Sequence, residues 1–238
     1  NTSSFVWEID PDNDKRLVQP LAGLKGLGDA AIEQIVANRP FTNVEEFLFH
    51  DEIVYSKLNK KALDVLVRSG AMNKLMDDRF SGRKHFWSAV AVDRVYSKKK
   101  FLENIETYRD EGDFSTEEEI DNKTTLTGIF PMHLVMTDAV RTKLENYYVP
   151  PISDYDPELG LVWFIPREII RKKTKNGKPY WIVAVIDSNS VLTKFRCWGI
   201  VEGKDRIHLN RPYMGKLDYD PAWGFSTRSI RRNLRILG

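Results

Sequence analysis

From Leu161 onward the hydrophobic pattern changes period, and that change limits what the chain can fold into. Before it, apolar residues recur every three or four positions: Ile32, Ile35 and Val36 fall on one face of a run from Ala30 to Asn38. Such spacing follows the turn of a helix. After it come LVWFIPREIIRKKT, KPYWIVAVID, SVLTKFRCWG and RIHLNRPY, rich in β-branched and aromatic residues and separated by NG, DSNS and EGKD. Branched and aromatic side chains fit a pleated surface, and Asn-Gly closes tight hairpins. Helices followed by strands imply an α+β chain, mainly helical at its N-terminal end and closing on a small β-barrel.

Local signals divide the helical part further. FVWEI (5–9) and RLVQPL (16–21) flank DPDND and read as two short strands around a turn, since Asp, Asn and Pro favour turns. Asp29 is placed to cap the helix Ala30–Asn38, and Pro40 ends it. Thr42 or Asn43 caps a second helix through Phe49, and a third runs from Asn59 to Ser69 and stops at Gly70. Residues 83–109 form a longer helical stretch broken near Ser97. From Glu103 to Asn122 nine carboxylates face one base, Arg109, a composition that predicts a partly mobile linker. A further helix is predicted over Asp138–Tyr147, and PPISDYDPELG (150–160) reads as the linker into the β-rich module. The expected segments are therefore 1–80, a helical connector with acidic linker over 81–160, and a β-module over 161–238.

The formal charge of +2 conceals an asymmetry. Residues 161–238 hold 16 Lys/Arg against 6 Asp/Glu, while residues 1–160 hold 20 against 28. A surplus of ten positive charges on one module is the electrostatic footprint of a polyanion binder, set against the plainer reading of a solvated basic surface. No apolar run reaches the ~18 residues of a membrane helix, and the start lacks the plan of a signal peptide. The first residue is Asn, which predicts a piece of something longer. The single Cys197 excludes an internal disulfide and fits a reducing, cytoplasmic compartment.

Within LAGLKGLGDAAIEQIVANRPF (21–41), Gly26 and Gly28 bracket one leucine immediately before a helix. A dinucleotide fingerprint needs a third glycine and a preceding buried strand, and both are missing. The hairpin Lys25-Gly26-Leu27-Gly28-Asp29 instead offers small residues that let a phosphate approach the backbone, beside free N–H groups at a helix start. Contacts of that kind hold a nucleic acid without reading its sequence. This is the logic of a helix-hairpin-helix motif; the alternative is a glycine turn that merely joins two packed helices.

VQPLAGLKGLGDAAIEQIVANRPFTNVEEFL, followed by KLNKKALDVLVRSGAMNKL, resembles the tandem helix-hairpin-helix region of bacterial and phage DNA polymerase III alpha subunits. TTLTGIFPMHLV (124–135) looks like a diverged form of the stretch before that family's oligonucleotide-binding (OB) domain, and residues 161–199 are similar to the domain itself. The resemblance implies a piece of a DNA-directed DNA polymerase, a nucleotidyltransferase of a bacterial cell or phage-infected host. Its catalytic palm and Mg2+ would lie upstream, leaving this chain non-catalytic and without a cofactor of its own. It further implies primer–template DNA as partner, with the sliding clamp and other replisome subunits. EGDF (111–114) is the nearest stretch to a clamp-binding peptide.

Six bases fall within twelve residues around Asn176-Gly177: Arg167, Arg171, Lys172, Lys173, Lys175 and Lys178. They crowd the loop between the first two strands of the β-module, a usual nucleic-acid loop of this fold. Trp163, Tyr180, Phe195 and Trp198 are candidates to stack bases, although strand alternation cannot turn all of them outward. Arg228, Arg231, Arg232 and Arg235 form a second cluster, which either extends the track or solvates a terminal element. The Asp-x-Asp triplets at 10–14, 154–156 and 218–220 carry turn chemistry in two cases, within a repeated DYDPxxG, and no zinc spacing or nucleophile–base set is present. The leading reading is a DNA-holding part of a replicative polymerase, with duplex on the hairpin region and single strand on the β-module. A protein-interaction platform and an RNA-binding module are the alternatives.

Overall fold

A computed structural model describes residues 3–10, 13–93 and 95–237. Contacts divide the chain into two compact units that meet at Pro131 and Met132. Residues 81–131 fall in the first unit, with the hairpin region, and residues 132–160 in the second, with the sheet.

The first unit opens on an antiparallel pair, β1 (Glu8–Asp10) and β2 (Asn13–Val18), with Ile9 opposite Leu17. Pro11 and Asp12 of the expected turn lie outside the described residues. Helices α1 (Asp29–Asn38), α2 (Val44–Leu48) and α3 (Lys60–Ser69) follow. Asn43 and Asn59 cap α2 and α3 by accepting from Glu46 and Ala62 N–H, and Gly70 takes the left-handed conformation (φ +87) that ends α3. Asp29 does not cap α1. Gly28 holds that position, with no side-chain acceptor, and Asp29 is the first helical residue.

Helix α4 (Arg83–Trp87) runs into a π-helical turn, Ser88–Val92, and Ser97 caps α5 (Lys98–Thr107). The acidic run is not a mobile linker. It ends α5 and starts α6 (Thr116–Thr127), where Ser115 and Glu118 form a reciprocal capping box. The Lys84 ammonium, then the Ser115 N–H, hold the Glu118 carboxyl down to about 2. That contribution is present above the ordinary glutamate range and is lost as pH falls toward 2.

Cations from α4 and α6 meet the carbonyl end of α3. Arg83 donates to the Val67 and Arg68 carbonyls at 3.3 and 3.2 Å and pairs with Glu119, and the Lys123 ammonium donates to the Ser69 carbonyl at 2.5 Å. Positive groups there complement the negative end of the helix dipole and add partners to the carbonyls of the last turn. His85, fully buried, donates from Nε2 to the Ile105 carbonyl (2.7 Å) and accepts the Ser81 N–H at Nδ1 (2.9 Å). The core around it contains Ile32, Val44, Leu66, Phe86 and Phe101.

In the second unit α7 (Met132–Val135) and α8 (Asp138–Asn146), capped by Thr137, precede the strands. The expected linker 150–160 is part of the unit: Pro151 bridges Trp163, and Ile152 is buried in the core. Strands β3 (Leu161–Lys173), β4 (Pro179–Ile186) and β5 (Thr193–Cys197) follow the predicted runs. RIHLNRPY does not form a strand. Residues 206–212 are loop, with Asn210 at φ +59, and β6 begins only at Tyr213 (Tyr213–Lys216). Short β7 (Asp218–Asp220), β8 (Gly224–Thr227), α9 (Ile230–Asn233) and β9 (Leu234–Ile236) complete the unit.

The seven strands run β7-β8-β5-β4-β3-β6-β9. One strand, β3, carries the curl: its first half pairs with β6 and its second with β4, with a register shift between Pro166 and Glu168. A bulge of that kind bends a strand and turns the sheet. The class is α+β, and the curled seven-stranded sheet is an OB-like half-barrel, in line with the small β-barrel expected from the run of short strands. Its core gathers Phe164, Val183, Val185, Phe195 and Leu217. Burial pushes the Cys197 thiol up to about 12, with the Asp205 carboxylate adding to the shift. An alkylating reagent at about pH 8 is expected to leave Cys197 unlabelled in the native chain and to label it in urea; rapid native labelling would contradict this packing.

Candidate nucleic-acid interface

The hairpin before α1 is held from both sides. The Lys25 N–H donates to the Leu126 carbonyl at the end of α6 (2.8 Å), and the Leu27 N–H to Leu24 (3.2 Å). Leu24 and Leu27 bury their side chains, so Leu27 anchors the bend and offers no free amide; its expected place among the binding groups is corrected to a structural one. Gly26 takes φ +94, a conformation that side chains rarely adopt. At Gly28 a Cβ would meet nothing within 4 Å. Ala31 and Ile32 donate back to the Gly28 carbonyl. The N–H groups of Gly26, Gly28, Asp29 and Ala30 find no acceptor among the described residues, and all four residues are exposed. Of these, Gly28, Asp29 and Ala30 stand at the positive end of a ten-residue helix, where free donors can serve as a cradle for an anion. Lys25 is exposed beside it, with Nζ 3.7 Å from where a Cβ on Gly128 would sit. Asp29 suits the helix dipole and opposes an incoming phosphate.

In the β-unit, Arg171, Lys172, Lys173, Lys175 and Lys178 are all exposed around the β3–β4 turn. Thr174 and Lys178 close that turn (Thr174 N–H to the Lys178 carbonyl, 2.9 Å), and Gly177 takes φ +74. Arg167 stands apart from the other five. It sits at the bulge, half-buried, and its guanidinium donates to Asn210 Oδ1. Arg171 lies over the Trp181 ring, 5.6 Å from its centroid. Lys172 pairs with Tyr180 across the ladder, and the Tyr180 ring stacks on Trp198 at 4.8 Å and 25°. Since Trp181 pairs with Cys197, Tyr180 and Trp198 continue the same antiparallel register. A cation and two half-exposed rings thus form one row across β3, β4 and the end of β5.

Phe195 belongs to the opposite face. It is 0% exposed, pairs with Val183 in the ladder and packs on Phe164 at 5.0 Å, so it cannot stack a base. Trp163 is buried as well. Trp198 is the better partner for Tyr180, and the alternation Lys194-Phe195-Arg196-Cys197 carries the signal for it. EGDF is also occupied within its own unit: Phe114 packs on Trp87 at 5.9 Å with the Arg83 guanidinium 5.8 Å from its ring. Gly82 accommodates this loop, for a Cβ there would lie 2.4 Å from the Gly112 carbonyl carbon. All four arginines of the C-terminal cluster are exposed, and Arg231 pairs with Asp205 at 3.1 Å.

Residues 1–81 match the helix-hairpin-helix motif family. The chain is also similar to the DNA polymerase III subunit alpha of Pseudomonas aeruginosa, 31% identical over 99 residues. That match covers 40% of this chain and 8% of the relative. The corresponding subunit of Pseudomonas fluorescens is 33% identical over 78 residues, 32% of this chain and 6% of its own length. The likeness to polymerase III alpha subunits read from the hairpin region is thus found by sequence comparison over part of the chain, and each match spans less than a tenth of the relative.

Proposed function

We propose that the chain is a non-catalytic, DNA-holding part of a polymerase III alpha-like subunit. The observation that carries this reading is the set of amides of Gly26, Gly28, Asp29 and Ala30, unpaired among the described residues and within the segment that matches the helix-hairpin-helix family. Backbone donors at that bend would take phosphates of primer–template duplex irrespective of sequence. The row Lys172, Tyr180 and Trp198, with the basic turn above it, would take the single-stranded template: lysines on phosphates, rings on bases. Magnesium chemistry would reside in a catalytic part of the parent polymerase, and the working compartment would be the cytoplasm of a bacterial or phage-infected cell. Among the described residues no helix is long and apolar enough to cross a membrane. Contact with a sliding clamp through EGDF has no support from the packing of Phe114; other replisome subunits would be the protein partners within this proposal.

Gly26→Val tests the hairpin. A β-branched residue at φ +94 forces the peptide to rotate, which turns the amides away. Anisotropy titration with a primer–template duplex is expected to show affinity reduced at least about tenfold, the equivalent of the ~1–2 kcal/mol strain of that conformation. Equal binding by the two chains, or a log affinity that does not fall with log salt, would sink the proposal.

A further inference from the structure

Beside the hairpin runs a groove of about 760 Å³, bounded by Tyr55, by Lys60, Lys61 and Asp64 at the start of α3, and by Trp87 and Val92. Its size lies in the range of roughly 300–1,000 Å³ usual for small-molecule sites. Three features give it a chemical character. First, its one carboxylate is already committed: Asp64 accepts from Trp87 Nε1 at 2.8 Å and pairs with Arg68 at 3.4 Å. Secondly, Lys60 and Lys61 are exposed and make no ion pair among the described residues, so the net field at the rim is positive. Thirdly, the wall carrying Ala91 and Val92 is the π-helical turn Ser88–Val92, a widened geometry that recurs at functional sites.

Lys61 joins the groove to the amide cradle. Its Cε lies 3.7 Å from where a Cβ on Gly26 would stand. An anion on the hairpin therefore sits next to a lysine that also borders an aromatic-walled slot. We propose that the slot is a subsite for one unpaired nucleoside of the strand whose phosphate occupies the hairpin. The base lies between the Tyr55 and Trp87 rings, and Lys60 and Lys61 take the flanking phosphate. The inference rests on the phosphate reading of the hairpin and adds to it an affinity for ends, flaps or frayed positions over fully paired duplex.

The test compares two probes on the whole chain: a blunt duplex, and the same duplex bearing one unpaired terminal 2-aminopurine nucleotide. The extended probe is expected to bind about tenfold tighter, within the range for stacking one base, with its emission quenched on binding. Tyr55→Ala should bring the ratio of the two affinities to one. Val92→Trp, which fills the slot from its other wall, should do the same, so that a folding defect in one variant does not decide the matter. Equal affinities with 2-aminopurine still bright would overturn the subsite and leave the hairpin reading intact. A preference that survives both substitutions would also overturn it. Binding of neither probe by the unaltered chain would remove the hairpin reading, and the subsite with it.

Discussion

A chain carrying Lys172→Glu and Lys173→Glu is expected to bind a single-stranded oligonucleotide at least about tenfold more weakly at physiological salt. The slope of log affinity against log salt should fall by about 1.4, the sum of two single-strand phosphate contacts at about 0.7 each. Both lysines are exposed and neither forms an ion pair among the described residues, so thermal stability should stay within about 0.5 kcal/mol. The two substitutions can also be separated. Lys172 shares the face of Tyr180 and Trp198, whereas Lys173 pairs with Pro179 on the other side of the pleat. Each single change should account for about half of the fall in slope, about 0.7, and Lys172→Glu but not Lys173→Glu should reduce quenching of Trp198 by the bound strand. An unchanged salt slope in the double variant would mean that the turn is only a solvated surface.

Arg83→Ala is expected to cost about 3 kcal/mol of stability by urea unfolding, the low end of the range for breaking a buried ion pair. Arg83 and Glu119 are each only 16% exposed at the side chain. The same guanidinium donates to the Val67 and Arg68 carbonyls, so its removal strands the Glu119 carboxylate and the Arg68 carbonyl, while Val67 keeps the Gly70 N–H. Arg83→Lys should recover little, because one ammonium cannot reach three acceptors in the fork geometry of a guanidinium. A loss under about 1 kcal/mol would place the pair among ordinary surface bridges.

Particular residues show what was readable beforehand. Helices α2 and α3 were legible because Asn43, Asn59 and Gly70 are strong stop and start signals with local causes. Helix α6 was not, since charge density over 103–122 outweighed a Ser115-x-x-Glu118 box lying inside it. The charges resolve through tertiary partners, Lys84 and Arg83, that local sequence does not display. Strand β5 shows the reverse: Lys194 and Arg196 already place Phe195 and Cys197 on the inner face, so the alternation by itself removes Phe195 from the stacking candidates. The segment before β6 looked like a strand by composition, yet Asn210 in left-handed geometry and Pro212 interrupt any ladder there. Of the hairpin, the glycines were visible from the start, while its hydrogen bond to the Leu126 carbonyl depends on residues far along the chain.

That last bond bears on modularity. The motif's recognised boundary closes at residue 81, but the bend within it hangs from a peptide oxygen 45 residues further on. A cassette excised at the boundary and transplanted onto another scaffold would carry the glycines without their strut. Any graft of this element has to bring α6 along.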